Sequence, residues 1–488
     1  MHGPWPADGP WGRQWSGPAA PPRGLALLAV LATAAVSAAV FPDHIGFGWL
    51  IIALTSAAAL MVTQKARPAP TGPTPLVVRP QHRPGKARLA WAFATVALIA
   101  VGTVRSAGWL FALCLATATI TLALTLAGGR SLRGIYAAYT MPLIASFRAV
   151  PWLARGLARL HRPGAGAGVR IAATAAVSIV LLAAFGGLLA SADLYFSQAL
   201  ASVIPDLSGG SFIRWVFIFT VTVMIVGGAA FLVASPPHLS KLDETEGRKV
   251  HRWEWAVPLG LLTMLFGAFV GVQAVVLLHG NYVVAEYANA ARTGFFQLSA
   301  VTGLTLVVLA GAARWAPRDR PADRVLIRVI LGALTTLTMV IAATALHRMN
   351  IYTAEYGLTR LRLLVFCCEL WIMFALGLVL LAGVRIRAPW LPRVAIAAGV
   401  LALLGLAAAN PDAMIAERNL HPAPHREIDL VYLQNLSPDA VPVIARMPGD
   451  RRDCVLSHIE IATGDWRSWN WGREHARQLI GANTRCGS

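Results

Sequence analysis

Repeated runs of 18 or more apolar residues decide what this 488-residue chain can become. A run of that length, wound into a helix rising 1.5 Å per residue, crosses about 30 Å of hydrocarbon. Lipid offers backbone N–H and C=O groups no partner, so each run must bond within itself. Eleven spans are predicted, at 24–41, 46–63, 88–105, 107–127, 169–190, 212–234, 254–278, 294–313, 325–346, 361–383 and 391–409. The expected fold class is all-α: a polytopic integral membrane helical bundle with a small helical tail. Composition agrees, with 56% hydrophobic and only 13% charged residues.

Around the spans the chain divides into five parts. Residues 1–23 are a Pro-, Trp- and Gly-rich leader, expected to be disordered. Residues 24–127 hold four spans and a Pro-rich linker at 64–86, and 128–168 form an inner segment. Seven spans fill 169–409, and 410–488 is the tail. Cationic side chains set the orientation, because short cytoplasmic loops retain Lys and Arg. With the N-terminus inside, the inner segments carry 27 of the 42 Lys and Arg, the outer loops 6 and the tail 9. The tail is then extracytoplasmic and the location a cell membrane. The net charge of +19, which in a soluble protein points to nucleic acid, is here a topological bias. The expected partner is the lipid bilayer, with no nucleic acid and room for a membrane or extracytoplasmic protein partner.

Within the inner segment, residues 145–162 repeat Val150, Leu153, Leu157 and Leu160 on one side and Arg148, Arg155, Arg159 and Arg162 on another. That pattern suits a helix lying in the membrane surface, and equally a connecting helix packed on the bundle. Cys114, Cys367 and Cys368 fall in spans, where a thiol is a small apolar filler. Cys454 and Cys486 are the pair in the tail, and outside the membrane they are expected to form a disulfide.

Two segments repeat a pattern. "LLHGNYVVAEYANAARTGFF" and "ALHRMNIYTAEYGLTRLRLL" both hold Leu-His, then Ala-Glu-Tyr, then arginine, between apolar runs. With "LAGAAR" and "LAGVR" closing them, they read as a duplicated helical hairpin whose Ala-Glu-Tyr segments lie in outer loops. Duplication accompanies transporter sites and also simple growth of a bundle. The charges define a candidate outer ionic network of Glu286, Arg292, Glu355, Arg360, Glu369 and Asp193. Glu369 sits within a span, where an ionised group costs roughly 2.5–3.5 kcal/mol, so it must face the bundle or a wet cavity. The network is expected to order the helices; the competing reading is an outward-open polar pocket.

The stretches "AEYANAARTGFFQLSAV", "AEYGLTRLRL", "NPDAMIAERNL" and "DLVYLQNLSPDAVPVI" carry a resemblance. They look like the domain-of-unknown-function family numbered 4153 and its close relative 4173, over roughly residues 170–470. The resemblance implies a bacterial polytopic membrane protein and no activity. In the tail, Ser437-Pro438 suits a helix start, and Trp466, Trp469 and Trp471 are expected to pack a small core rather than the membrane surface. Motifs of hydrolases, zinc proteases, P-loops and dinucleotide sites are missing, and His421 and His425 are separated by prolines that spoil a metal site. The chain is therefore expected to be non-enzymatic and without cofactor, an envelope, signalling or scaffolding component; the alternative is a transporter or channel using the ionic pocket.

Overall fold

Helix is the only regular secondary structure among the described residues. A computed structural model describes residues 15, 17–18, 20–66, 85–160, 209–237, 239, 251–279, 284–315, 320–385, 388–422 and 427–480. Within the helices, side chains at 276–279, 284–293 and a few other positions lie outside that description. Nine described helices are long and apolar enough to cross a membrane, each overlapping an expected span. The first span forms an apolar helix of 17 residues, Gly24–Val40. The fifth, 169–190, lies outside the described residues, as does most of the 64–86 linker.

The chain forms two compact units. The first comprises residues 1–243 and 462–474, with α1 (Gly24–Val40), α2 (Phe47–Lys65), α3 (Lys86–Val104), α4 (Gly108–Leu126), α5 (Leu132–Leu160) and α6 (Gly209–Ala234). Its threonines show how polar side chains enter an apolar bundle. Thr33, Thr63 and Thr95 each donate to the carbonyl four residues back, at 2.8–2.9 Å, leaving a methyl to pack outward. Thr95 and Thr121 also join their hydroxyls at 2.8 Å, pinning α3 to α4. On α6, a Cβ at Gly228 would lie 2.6 Å from the backbone nitrogen of Ser146, so a small residue there sets the α5–α6 approach.

Helix α5 departs from expectation in length and in facing. It begins at Leu132, well before 145, and contains Pro142 and Pro151. Arg148, expected on a polar face, turns to the bundle: it donates to the Trp15 carbonyl at 3.1 Å and lies 4.8 Å from the Trp15 ring centre. Trp15 is only 3% exposed and its indole donates to Ser235 at 2.6 Å. Trp152 likewise donates to the Ala20 carbonyl. Trp15 and Ala20 of the leader, expected to be disordered, are thus held by two indole N–H groups and a guanidinium, because backbone carbonyls accept what a buried Trp or Arg must donate.

The second unit comprises residues 244–461 and 475–488. Its helices are α7 (Arg252–His279), α8 (Val284–Trp315), α9 (Pro321–Tyr356), α10 (Arg360–Arg385) and α11 (Leu391–Ala409). Four short helices follow, α12 (Pro411–Leu420), α13 (Leu430–Gln434), α14 (Val441–Ile444) and α15 (Asp450–His458). Helix α9 is central: Ile327, Leu334, Ile341, Ala345 and Met349 pack in one cluster with residues of α7, α8 and α10. Spacings of 7, 7, 4 and 4 keep those side chains on one face. Helix α11 is tied to α10 by the Trp371 indole, which donates to the Ala395 carbonyl at 2.9 Å. At one end of the unit Arg252 pairs with the buried Asp323 at 2.6 Å.

Helices α8 and α9 run past the apolar spans, with 32 and 36 residues. Glu286 and Glu355, expected in loops, therefore lie in the first turn of α8 and the last turn of α9. Ala, Glu and Arg are strong helix formers, so the helix continues once it leaves the apolar zone.

Candidate functional site

Three of the four family-like stretches converge on one polar clasp at the start of α10. Gly357 ends α9 with φ 73°, a left-handed conformation that favours glycine. Three residues on, the Arg360 guanidinium forks onto Asp412, Nη2 to Oδ2 at 2.6 Å and Nε to Oδ1 at 3.1 Å. Asp412 is fully buried and also accepts from the Ser437 backbone N–H at 2.9 Å. The backbone N–H of Arg360 donates to the Tyr432 hydroxyl at 2.9 Å. Asn419 completes the join, accepting from the Leu358 N–H at 2.8 Å and donating to the Leu358 carbonyl at 2.9 Å.

Local sequence explains how Asp412 arrives there. Asn410 adopts φ 56°, the single positive-φ residue other than glycine among those described. Asparagine tolerates that region, and here it ends α11, accepts from the Ala413 N–H and donates to the Asp439 carbonyl at 3.0 Å. Pro411 follows at the first helical position, where its missing N–H costs nothing. Burial alone would push the Asp412 carboxyl up, but the hydrogen bonds from Arg360 and Ser437 outweigh it and hold it below the usual carboxylate range. Tyr432 is raised, chiefly by burial.

Of the six residues expected in an outer network, then, Arg360 is brought to the tail. Glu369 lies nine residues into α10, about 13 Å along the axis; it is 1% exposed and accepts from the Thr302 hydroxyl of α8 at 2.9 Å. Glu355 is half-buried in the last turn of α9. The side chains of Glu286 and Arg292, and all of Asp193, lie outside the described residues. Beside the clasp is a cavity of about 230 Å³ lined by Phe295, Phe296, Met349, Tyr352, Thr359, Leu361 and Arg362. Arg362 is committed to its own surroundings, donating to the Tyr356 carbonyl at 2.9 Å and stacking 4.4 Å from the Tyr352 ring centre. Sequence reasoning missed Asp412, Asn419 and Tyr432 as partners. The available signal was the Asn-Pro-Asp stretch: an asparagine followed by a proline that starts a helix, with an acid next to it.

The first unit carries its own tail-borne strap. Asn470 is 2% exposed and donates to the carbonyls of Gly102 and Arg105, at 2.8 and 2.9 Å, where α3 ends. Arg467 donates to Ala39 at the end of α1, Arg473 to Ile45, and the Phe47 N–H to the Trp469 carbonyl. Trp466, Trp469 and Trp471 are 58%, 45% and 50% exposed, so they do not pack the small core expected of them. The polar side chains of the strap take the buried positions because helix-end carbonyls need donors. At Ser437-Pro438 the helix start is a 3-10 turn over Pro438–Ala440, followed by α14. Cys114, Cys367 and Cys368 are free thiols; Cys454 is disulfide-bonded, and Cys486 lies outside the described residues.

One family model, described as Domain of unknown function (DUF4153), matches residues 93–447. No curated protein and no solved structure matches the chain.

Proposed function

The chain belongs to the DUF4153 family, and from that premise we propose that it is a non-enzymatic component of the cell envelope, organising or signalling through its tail, with the N-terminus cytoplasmic and the tail extracytoplasmic. The observation that carries this reading is the clasp. Arg360, one of the charges that a solute path would use, is engaged in fixing chain geometry on Asp412, beside Asn419 on Leu358 and Asn410 on Asp439. A protein built to pass solute keeps such groups facing a wet pathway near mid-membrane. Here they sit where α10 meets the tail, so a pull on the tail reaches the spans directly.

A transporter or channel is the second reading, favoured by one observation: Glu369, a carboxyl buried within a span against Thr302. Purified protein in liposomes, assayed for substrate-dependent flux, separates the two. The proposal expects no flux, and Glu369→Gln should lower the amount of folded protein, as a helix-ordering role requires. Flux that disappears with Glu369→Gln would overturn it in favour of transport.

A further inference from the structure

Helix α5 is 29 residues long, about 43 Å, and its buried packing gathers at one end of the first unit. Its buried residues, from Ala137 to Trp152, gather with Val30 near the start of α1, Ala59 near the end of α2, Leu126 at the end of α4 and Val226–Leu232 near the end of α6. The opposite end of the same unit is marked by Arg214, near the start of α6, paired with Asp43 between α1 and α2. Every contact of α5 in that cluster therefore belongs to a single end of the bundle. A helix this long, held at one end, runs along the boundary rather than through it.

Its free side is apolar. Leu132, Tyr136, Tyr139, Leu143, Phe147 and Val150 recur every three or four residues and are each 51–72% exposed. No charged side chain interrupts that stripe. Single exposed apolar residues are ordinary, but a contiguous stripe of six marks a surface that meets something apolar. The charge pattern identifies it. From residue 44 to residue 192 the chain contains no Asp or Glu and 14 Lys or Arg. On α5 itself, Arg133 and Arg159 are exposed and Arg155 half-exposed, off the apolar stripe. A protein groove would match an apolar stripe without requiring 149 residues free of acid. A leaflet of anionic phospholipid matches both, with acyl chains for the stripe and phosphates for the arginines.

We propose that α5 is a lateral helix embedded in one lipid–water boundary, its charge-free stripe on acyl chains and Arg133, Arg155 and Arg159 on anionic phosphate headgroups. This assignment moves the lipid-facing stripe expected within residues 145–162: Val150 stays on it, whereas Leu153 and Leu157 pack against Leu27 and Arg148 turns to the bundle. It is independent of whether the protein signals or transports; the orientation proposed above only names the leaflet as the cytoplasmic one.

Two measurements on the full-length protein test it. A benzophenone side chain placed at Tyr139 or Phe147, irradiated in nanodiscs of phosphatidylglycerol and phosphatidylcholine, is expected to add the mass of a phospholipid. A cross-link to protein, or no adduct at either site, overturns the lipid assignment. Mass spectrometry of co-purified lipid supplies the second readout: the triple variant R133Q/R155Q/R159Q should retain at least about tenfold less phosphatidylglycerol, with phosphatidylcholine unchanged. Equal loss of both lipids, or no loss, overturns the headgroup half of the proposal. The single-site benzophenone variants keep the test decisive if the triple variant fails to fold.

Discussion

Asp412 accepts both prongs of a guanidinium and a backbone N–H while wholly shielded from water. Removing its charge strands Arg360, whose side chain is 33% exposed. Breaking a fully buried pair costs about 3–5 kcal/mol; partial exposure of the arginine brings the expected loss for Asp412→Asn nearer about 2 kcal/mol. Thermal denaturation in detergent at neutral pH measures it, and an unchanged midpoint would show that the clasp contributes nothing. The carboxyl's folded-state pKa lies below its unfolded value. The stability it supplies is therefore complete above about pH 4 and is lost as pH falls through the lowered value. The wild type should lose midpoint temperature across that acidic window more steeply than Asp412→Asn.

Among the elements, the strap makes the clearest prediction. A Cβ at Gly46 would lie 2.5 Å from the backbone carbon of Ser468, so Gly46→Ala must displace the strap. Asn470→Ala would leave the Gly102 and Arg105 carbonyls without that donor, an expected loss of about 1–3 kcal/mol. Both variants should be cut faster within 462–474 by added protease than the wild type; equal rates would mean the strap is not held by these contacts. Helix placement was legible in the sequence because long apolar runs leave the backbone one choice, and ten of the eleven expected spans appear among the described helices. Where those helices stop was less legible. The polar Ala-Glu-Tyr segments continue α8 and α9 by propensity, which hydropathy does not register. Of the clasp, Arg360 was legible as a charged candidate but not its partner Asp412, and the strap was not legible, because each joins a tail side chain to a distant helix end. The periodicity of a segment reports its own exposed face, not which remote carbonyl its asparagine will reach. The tryptophans illustrate this: their density suggested a core, but the buried positions beside them went to Ser468, Asn470 and Arg473.

For the molecule as a whole, the side of the membrane that holds the tail is the most consequential untried assignment. A disulfide of Cys454 with Cys486, closing a loop of about thirty residues and worth roughly 3–4 kcal/mol, belongs to an oxidising exterior. After reduction, an impermeant thiol reagent should label both cysteines in intact cells. Labelling that requires permeabilised cells would place the tail inside and invert every loop.

The strap also sets an order of events during biogenesis. The Gly102 carbonyl leaves the ribosome 368 residues ahead of the asparagine that bonds it. Until residue 470 has been made, the Gly102 and Arg105 carbonyls lack that donor. A stop codon upstream of Asn470 therefore takes a donor away from the end of α3, so a lesion late in the message reaches a helix made early.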